Sequence, residues 1–451
     1  MQVARGLLLC IVMCRPAIAQ GRGSSPAPDD SSIVARLDAY LAPLVSAHEF
    51  SGTILIRRHG ETVADRSYGM ASREFAVPND RDTRFLIGSI SKQFTAAAVL
   101  LLEQQGKLRT TDHLAKYVAG FPSGDTITLL QMLTHSSGIS RDLPNGSDAP
   151  MRHTGAELVN IIRRQPLAFA PGTKTGYSNN AYKVLAYIVE RVSGEAFGTF
   201  LTRSFFEPLH MINTGDDASL TLVPRLATGY SPGFGPEGFA PAPHLDISNA
   251  RGAASLYSTP ADLARWSERF LIDGEPYPAV RDRMLSGDGI GTGVATRSGR
   301  RVISHDGVYQ GFTSFIATYP DDALTVAYLG NTETAASVSP LQAALGAIVK
   351  GDAPSPASLV RRGNAVPREV LDDYVGVFDF FPGLQATITR DGDALLLGVG
   401  DGDYPLEWQA PDRLFFRLKY AVVHFMRDAT GRVTSLEWAE NGQLFPATRI
   451  K

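Results

Sequence analysis

Ser89 and Lys92 stand three residues apart in the stretch FLIGSISKQFTAAAVLLLEQQ, residues 85–105, directly ahead of an apolar run. A serine hydroxyl is a weak nucleophile until a base takes its proton. A lysine is such a base only when its pKa falls, through loss of water or a neighbouring positive charge. A spacing of three places both side chains on one helical face. The Ala- and Leu-rich run from Phe94 to Leu102 is made of good helix formers, and a helix apolar nearly all round belongs in the interior. The sequence therefore predicts a hydroxyl and a desolvated amine together at the start of a buried helix, where the dipole favours developing negative charge. A helix-starting serine followed by a surface lysine accounts for the same short pattern more plainly, so the rest of the chain must decide.

Two further clusters bear on the choice. In FAPGTKTGYSNN, residues 169–180, Tyr177 and Asn179 flank Ser178 just before a predicted helix. In an extended segment, residues two apart face the same side. Tyr177 offers a phenol, and Asn179 an amide that both donates and accepts. Beside a lysine charge the phenol is expected to be held partly or wholly as phenolate, a base for Ser89 and later an acid for the leaving group. A helix cap explains Ser178 or Asn179, but not Tyr177. In RVISHDGVYQGFTSF, residues 301–315, His305, Asp306 and Gly307 precede a strand expected at the sheet edge beside Ser89. Gly307 permits close backbone approach. The N–H groups of Val308 and Ser89 are the expected oxyanion hole, and His305 would donate to substrate or tune Tyr177. The plainer account of this cluster is a solvent-facing turn.

These residues need a scaffold. Phe50–Arg57 and Thr62–Gly69 read as strands around a His59-Gly60 turn. From Thr110 to about Pro208 the text is helical, with segments at 127–134, 157–164, 182–191 and 201–206. Residues 229–250, rich in Gly, Pro and aromatics, read as a long loop of the kind that serves as a lid or binding segment. Strands follow at 313–319 and 323–329, then a helix at 341–350. Strands, then helices, then strands predict an α+β unit over residues 20–350: one antiparallel sheet built from both ends, with a helical insert. The Pro-rich segment 351–367 reads as a linker. Six short strands between 375 and 437 predict a small all-β barrel or sandwich over 368–451, without a catalytic cluster.

Composition narrows the class. The 451 residues carry a formal net charge of -3, unlike a basic nucleic-acid-binding domain. Residues 1–19 have the basic flank Arg5, a short apolar core and an Ala17-Ile18-Ala19 cleavage site, the pattern of a signal peptide cut before Gln20. Its apolar run is well short of the ~20 residues a spanning helix needs, and no later run reaches that length. Export to the periplasm or medium is the expectation, with no integral membrane span. Both cysteines, Cys10 and Cys14, lie in the leader, so thiol catalysis, disulfides and cysteine metal sites are not expected in the mature chain. The nine histidines form no H-E-x-x-H pattern, and His135 reads as a structural hydrogen-bonding residue near a helix end. No metal and no nucleotide cofactor is expected. Ser89 lacks the G-x-S-x-G setting of a Ser-His-Asp hydrolase.

Taken together, Ser89-Ile90-Ser91-Lys92, Tyr177-Ser178-Asn179 and His305-Asp306-Gly307 resemble the three motifs of class C-type serine β-lactamases and their penicillin-binding-protein-like relatives. LLQMLTHSSGI at 129–139, the Pro-Gly-Thr at 171–173 and GAASLYSTPADLARW at 252–266 are similar to further segments of that group. The likeness covers about residues 33–350, and 368–451 resembles a C-terminal domain that some members append. It implies acylation of Ser89, general-base work shared by Lys92 and Tyr177, and an Asn179 that positions the lysine and the substrate amide. Lys174-Thr175-Gly176 matches the third motif in wording but comes too early in the chain. At the proper place stands His305, where antibiotic-hydrolysing members carry a lysine that holds a substrate carboxylate. A histidine is mostly neutral near pH 7. That departure points to an exported serine hydrolase acting on a small ester, peptide or amide. A class C-like β-lactamase or D,D-peptidase is the alternative, and a penicillin-binding-like sensor without turnover a third. The oligomeric state is not legible.

Overall fold

The computed structural model describes residues 28–144, 151–217, 222–232, 239–287, 289–297, 299–334, 339–356, 366–381, 384–399, 402–416, 421–440 and 443–451. The leader expected at 1–19 and part of the linker expected at 351–367 lie outside them. The chain divides into two compact units, essentially Val34–Gly346 and Val360–Lys451.

The larger unit follows helix α1 (Asp30–Ser46) with strands β1 (Gly52–Arg58) and β2 (Glu61–Tyr68). His59 and Gly60 both have positive φ, as a tight right-twisting hairpin turn requires. Short strands follow: β3 (Met70–Ser72), β4 (Val77–Pro78), β5 (Phe85–Leu86), β6 (Gly215–Asp216), β7 (Tyr230–Pro232), β8 (Phe239–Pro241) and β9 (Leu256–Ser258). Four long strands end the unit: β10 (Gly293–Arg297), β11 (Arg300–Tyr309), β12 (Phe312–Tyr319) and β13 (Leu324–Gly330). The main sheet runs β10-β11-β12-β13-β1-β2, with Gly52 opposite Gly330 and Arg58 opposite Leu324. Both ends of the unit thus make one antiparallel sheet, as the order of elements predicts. One difference lies at 229–250, expected as loop without secondary structure: β7 and β8 pair there, Tyr230 opposite Pro241. Another is His305–Gly307, which lie within β11 rather than ahead of a strand.

Helix α2 (Ser91–Gln104) is the centre of the core. Every residue from Ser91 to Leu102 is buried, which is why no polar face interrupts its sequence. Phe94 packs on Trp266 with centroids 4.2 Å apart, and Trp266 on Phe270 at 4.2 Å. Each such side chain taken fully out of water is worth roughly 1.5–3 kcal/mol. Gln93, one of the buried polar groups of α2, is satisfied: it accepts from Trp266 Nε1 at 2.8 Å and donates to Thr292 at 2.9 Å. The insert holds α3 (Leu129–Leu133), α4 (Gly155–Ile162), α5 (Asn179–Ser193) and α6 (Phe197–Leu201). Capping boxes start α3 at Thr128 and α4 at Thr154. Ser178 caps α5 by accepting from Ala181 N at 2.9 Å, and Gly194 in the left-handed region ends it. Helices α7 (Pro260–Arg265), α8 (Pro278–Met284) and α9 (Ser339–Ile348) complete the unit.

The C-terminal unit is a closed eight-stranded barrel, filled by Phe378, Ile388, Leu397, Leu414, Phe425 and Leu436. Two of its strands, Gly402–Ala410 and Gln443–Arg449, go beyond the six read from the sequence. Each contains a proline, which has no N–H for a ladder and argues against a strand in isolation.

Candidate active site

The segment that carries Ser89 is fixed from both sides. Ile87 N donates to Leu256 O at 2.9 Å, and Leu256 N to Ser91 Oγ at 3.1 Å. From the other side, Ser314 Oγ of β12 donates to Ile87 O at 2.8 Å. A single turn of 3-10 helix, Gly88–Ile90, then runs into α2. Gly88 has φ +49, and a Cβ on it would stand 2.9 Å from Val308 N. A Cβ on Gly307 would stand 2.3 Å from Ile87 O and 2.8 Å from Ser89 N. The two glycines therefore let β11 lie directly against the serine turn, with Ser89 N and Val308 N at their contact. Tyr309 and Phe312 close a two-residue turn, so Val308 opposite Thr313 is a non-hydrogen-bonded pair whose N–H points away from β12. Strand β10 pairs with β11 only as far as Ser304. The Val308 N–H thus faces off the sheet edge, as an oxyanion donor must.

Lys92 is completely buried. Its Nζ lies 2.9 Å from Ser89 Oγ and 2.8 Å from the carbonyl oxygen of Ala253. Burial, and then the charge of Lys183, hold this amine well below the ordinary lysine range. A neutral amine with one hydrogen anchored on a carbonyl keeps its lone pair for the Ser89 proton. The carbonyl anchor comes from a turn that α2 and α5 clasp: Thr95 Oγ1 donates to Gly252 O at 2.7 Å, and Gly252, φ +73, lies where any Cβ would strike Ala186 and the Tyr182 carbonyl.

Tyr177 completes the group. Its phenol shares a hydrogen bond with Ser89, and Lys92 Nζ lies 4.9 Å from its ring centroid. The ring is 37% exposed, its free edge open to the cleft. Burial pushes the phenol above its usual range, a shift toward the protonated form and away from the phenolate that the sequence leads one to expect. The Tyr177 ring is stacked on His135, with centroids 4.4 Å apart at 30°, and His135 Nδ1 accepts from Ser178 N at 3.1 Å. Burial lowers the His135 pKa to about 3, so the imidazole is a neutral acceptor throughout the working range.

Asn179 is near the group but not on the lysine. Its Nδ2 donates to Asp142 Oδ1 at 2.7 Å, while among the described residues Lys92 Nζ bonds Ser89 and Ala253. Asn179 here ties the 140–142 turn to the start of α5 rather than bonding Lys92. His305 is half-buried on β11, its Nδ1 2.6 Å from the Asp306 carbonyl oxygen. A carbonyl only accepts, so Nδ1 carries the hydrogen and Nε2 the lone pair. Burial lowers its pKa below the usual imidazole range, which keeps the ring neutral near pH 7. His305 and Tyr177 both border a cavity of about 610 Å³, lined also by Leu133, Ile290, Thr292 and Arg283. Lys174 of the misplaced motif is exposed on the loop ahead of Tyr177. Among the described residues no cluster of His, Cys, Asp and Glu is placed to hold a metal ion. Sequence reasoning missed the Ala253 carbonyl and the stacking role of His135. The only sequence signals for them were the Arg251-Gly252-Ala253 turn and His135 at a helix end.

The antiparallel sheet, the helical insert and the serine-lysine turn between them define a penicillin-binding-protein or β-lactamase-like serine-hydrolase fold, here followed by a distinct C-terminal β-barrel. The family model described as Beta-lactamase matches residues 37–349, and the chain belongs to that family. It is 36% identical over 231 residues to the putative penicillin-binding protein PbpX of Bacillus subtilis (strain 168), a match covering 51% of this chain and 56% of that protein. It is 26% identical over 424 residues to penicillin-binding protein 4* of the same organism, covering 86% of this chain and 93% of the other. The octameric penicillin-binding protein homologue from Pyrococcus abyssi superposes with a TM-score of 0.62 at 22% identity, covering 92% of this chain and all of that one. The chain thus spans little more than half of PbpX and nearly all of penicillin-binding protein 4*.

Proposed function

We propose that this protein is a serine acyl hydrolase of the penicillin-binding type, acylated on Ser89 by a cell-wall-type peptide or a β-lactam. The observation that carries the reading is the 2.9 Å contact between Ser89 Oγ and the fully buried Lys92 amine. In this reading the neutral Lys92 takes the Ser89 proton as Oγ attacks the substrate carbonyl. The Ser89 and Val308 N–H groups stabilise the oxyanion. Collapse breaks the amide bond, and Tyr177 gives its proton to the leaving nitrogen and regains one from Lys92. Water then cleaves the Ser89 ester with the proton moves reversed.

Two considerations support the substrate class. Two of the relatives, PbpX and penicillin-binding protein 4*, carry penicillin-binding names. Penicillins and the peptides they mimic also end in a carboxylate, and although His305 is neutral, the cavity it borders is also lined by Arg283. The neutral ring at His305 favours a second reading, a hydrolase of uncharged esters or simple amides. The leader read at 1–19 supports work outside the cytoplasm. The test offers the full chain a D-alanyl-D-alanine peptide, a penicillin, a chromogenic cephalosporin and a short-chain ester. Peptide turnover or a lasting penicilloyl adduct supports the first reading. Turnover of the ester alone overturns it in favour of the second.

A further inference from the structure

Arg141 is an exposed arginine on a firmly held turn. The start of α5 pins residues 140–142 from several directions. The N–H groups of Asn179 and Asn180 donate to Arg141 O at 2.8 and 3.1 Å. Ser178 Oγ donates to Ser140 O at 2.9 Å. Asn180 Nδ2 donates to Asp142 O at 2.7 Å and to Ser140 Oγ at 3.1 Å, and Asn179 Nδ2 to Asp142 Oδ1 at 2.7 Å. The guanidinium that this turn carries has its central carbon 5.8 Å from the centroid of the Tyr177 ring, whose phenol bonds Ser89. That is the outer limit of a cation–π contact, so the ring steadies the group without occupying its hydrogens. Arg141 Nε meets Asp142 at 3.2 Å, with the arginine side chain 66% exposed, a pair worth little in water. Among the described residues its two terminal nitrogens donate no hydrogen bond. They form the end of a planar fork that fits both oxygens of a carboxylate.

We propose that Arg141 is a specificity-determining residue of the Ser89 site, which selects substrates that carry a carboxylate and holds that carboxylate beside Tyr177 through its terminal nitrogens. The inference rests on the reading of Ser89 as the nucleophile. The other basic side chains around Tyr177 are less suited to the task. Lys92 is completely buried, with its amine bonded to Ser89 and Ala253. Lys183 is 4% exposed. Arg283, at the cavity, donates to Ser286 Oγ at 3.4 Å and sits on α8 without the turn-to-helix bonding that fixes Arg141. A group whose backbone is already ordered loses less freedom when it binds. The carboxylate belongs either to the acyl fragment, which stays on Ser89, or to the leaving fragment, which Tyr177 protonates. Both present the same two oxygens to the guanidinium.

The test compares kcat/KM within two matched pairs of esters, in the full chain and in Arg141→Gln, Arg141→Lys and Arg283→Gln. One pair differs on the acyl side, mono-p-nitrophenyl glutarate against its methyl ester. The other differs on the leaving side, 3-carboxyphenyl acetate against its methyl ester. The parent should favour the acid over the methyl ester in one pair, and that pair names the fragment. Losing a charge-assisted contact should lower this acid-to-ester ratio about tenfold or more in Arg141→Gln. Arg141→Lys keeps the charge but not the fork, and its ratio should fall between the two. A parent with no preference for either acid overturns the proposal. So does a ratio unmoved in Arg141→Gln, whether both esters keep their rates or lose them equally, since a purely structural arginine would do the latter. A ratio that falls in Arg283→Gln and not in Arg141→Gln also overturns it. If the parent forms no adduct on Ser89 and Ser89→Ala hydrolyses the esters at the parent rate, the reading of the nucleophile fails, a result distinct from these.

Discussion

The carbonyl oxygen of Ala253 accepts a hydrogen bond from Lys92 Nζ at 2.8 Å. This contact aims the amine. One hydrogen is committed to a fixed backbone atom, and the remaining bond of Nζ runs to Ser89 Oγ at 2.9 Å. Desolvation weakens the hold on the proton that would block the lone pair, so burial and anchoring together favour the base role proposed for this lysine.

Replacing Lys92 with Met tests that arrangement. Loss of a positioned general base should lower kcat/KM by about 10²–10⁴-fold. The parent should gain activity as pH rises through the lowered Lys92 pKa, because the neutral form is the active one, and the variant should lose that limb. Its melting temperature should hold or rise, since an amine taken from water no longer opposes folding. Activity within tenfold of the parent, measured with the same ester across pH, would exclude Lys92 as the base.

Tyr177→Phe keeps the ring stacked on His135 and removes only the phenol. With the phenol protonated at neutral pH, its contribution is proton delivery to the leaving group. Turnover of an amide should therefore fall by about 10²-fold or more. An activated ester, whose leaving group needs little protonation, should suffer less. Equal losses on the two substrates would place the effect in positioning alone.

Gly307→Ala tests the oxyanion hole. The added methyl would meet Ile87 O at 2.3 Å and Ser89 N at 2.8 Å, both backbone atoms that cannot swing aside. Strand β11 must move off the serine turn, taking the Val308 N–H with it. The expected result is a loss of about 10²–10³-fold in kcat, with a cooperative melt retained. An unchanged kcat would show that the Val308 N–H does not bind the oxyanion.

Much of this was legible before any coordinates. The Ser89–Lys92 pair is readable because a spacing of three on a helix fixes the neighbourhood of two side chains. The fused sheet is readable because β1 and β13 are apolar runs bounded by clear turns. Strand β11 was not, because RRVISHDGVY mixes charges with apolar residues at a sheet edge and so shows no clean alternation. The Ala253 anchor escaped because a backbone carbonyl leaves no mark in residue type. The phenolate expectation for Tyr177 runs against burial, which raises the phenol and lowers Lys92 and which residue type alone does not show. Asn179 was expected on Lys92, and finds Asp142 instead because the 140–142 turn folds over the start of α5, a contact between distant segments that no local pattern announces.

The central claim is tested most directly by the intact mass of the protein after exposure to a penicillin or p-nitrophenyl acetate, followed by peptide mapping. The account predicts one acyl group per chain, located on the peptide containing Ser89, and none in Ser89→Ala. An adduct of equal yield in Ser89→Ala, or hydrolysis by that variant at the parent rate, would contradict it.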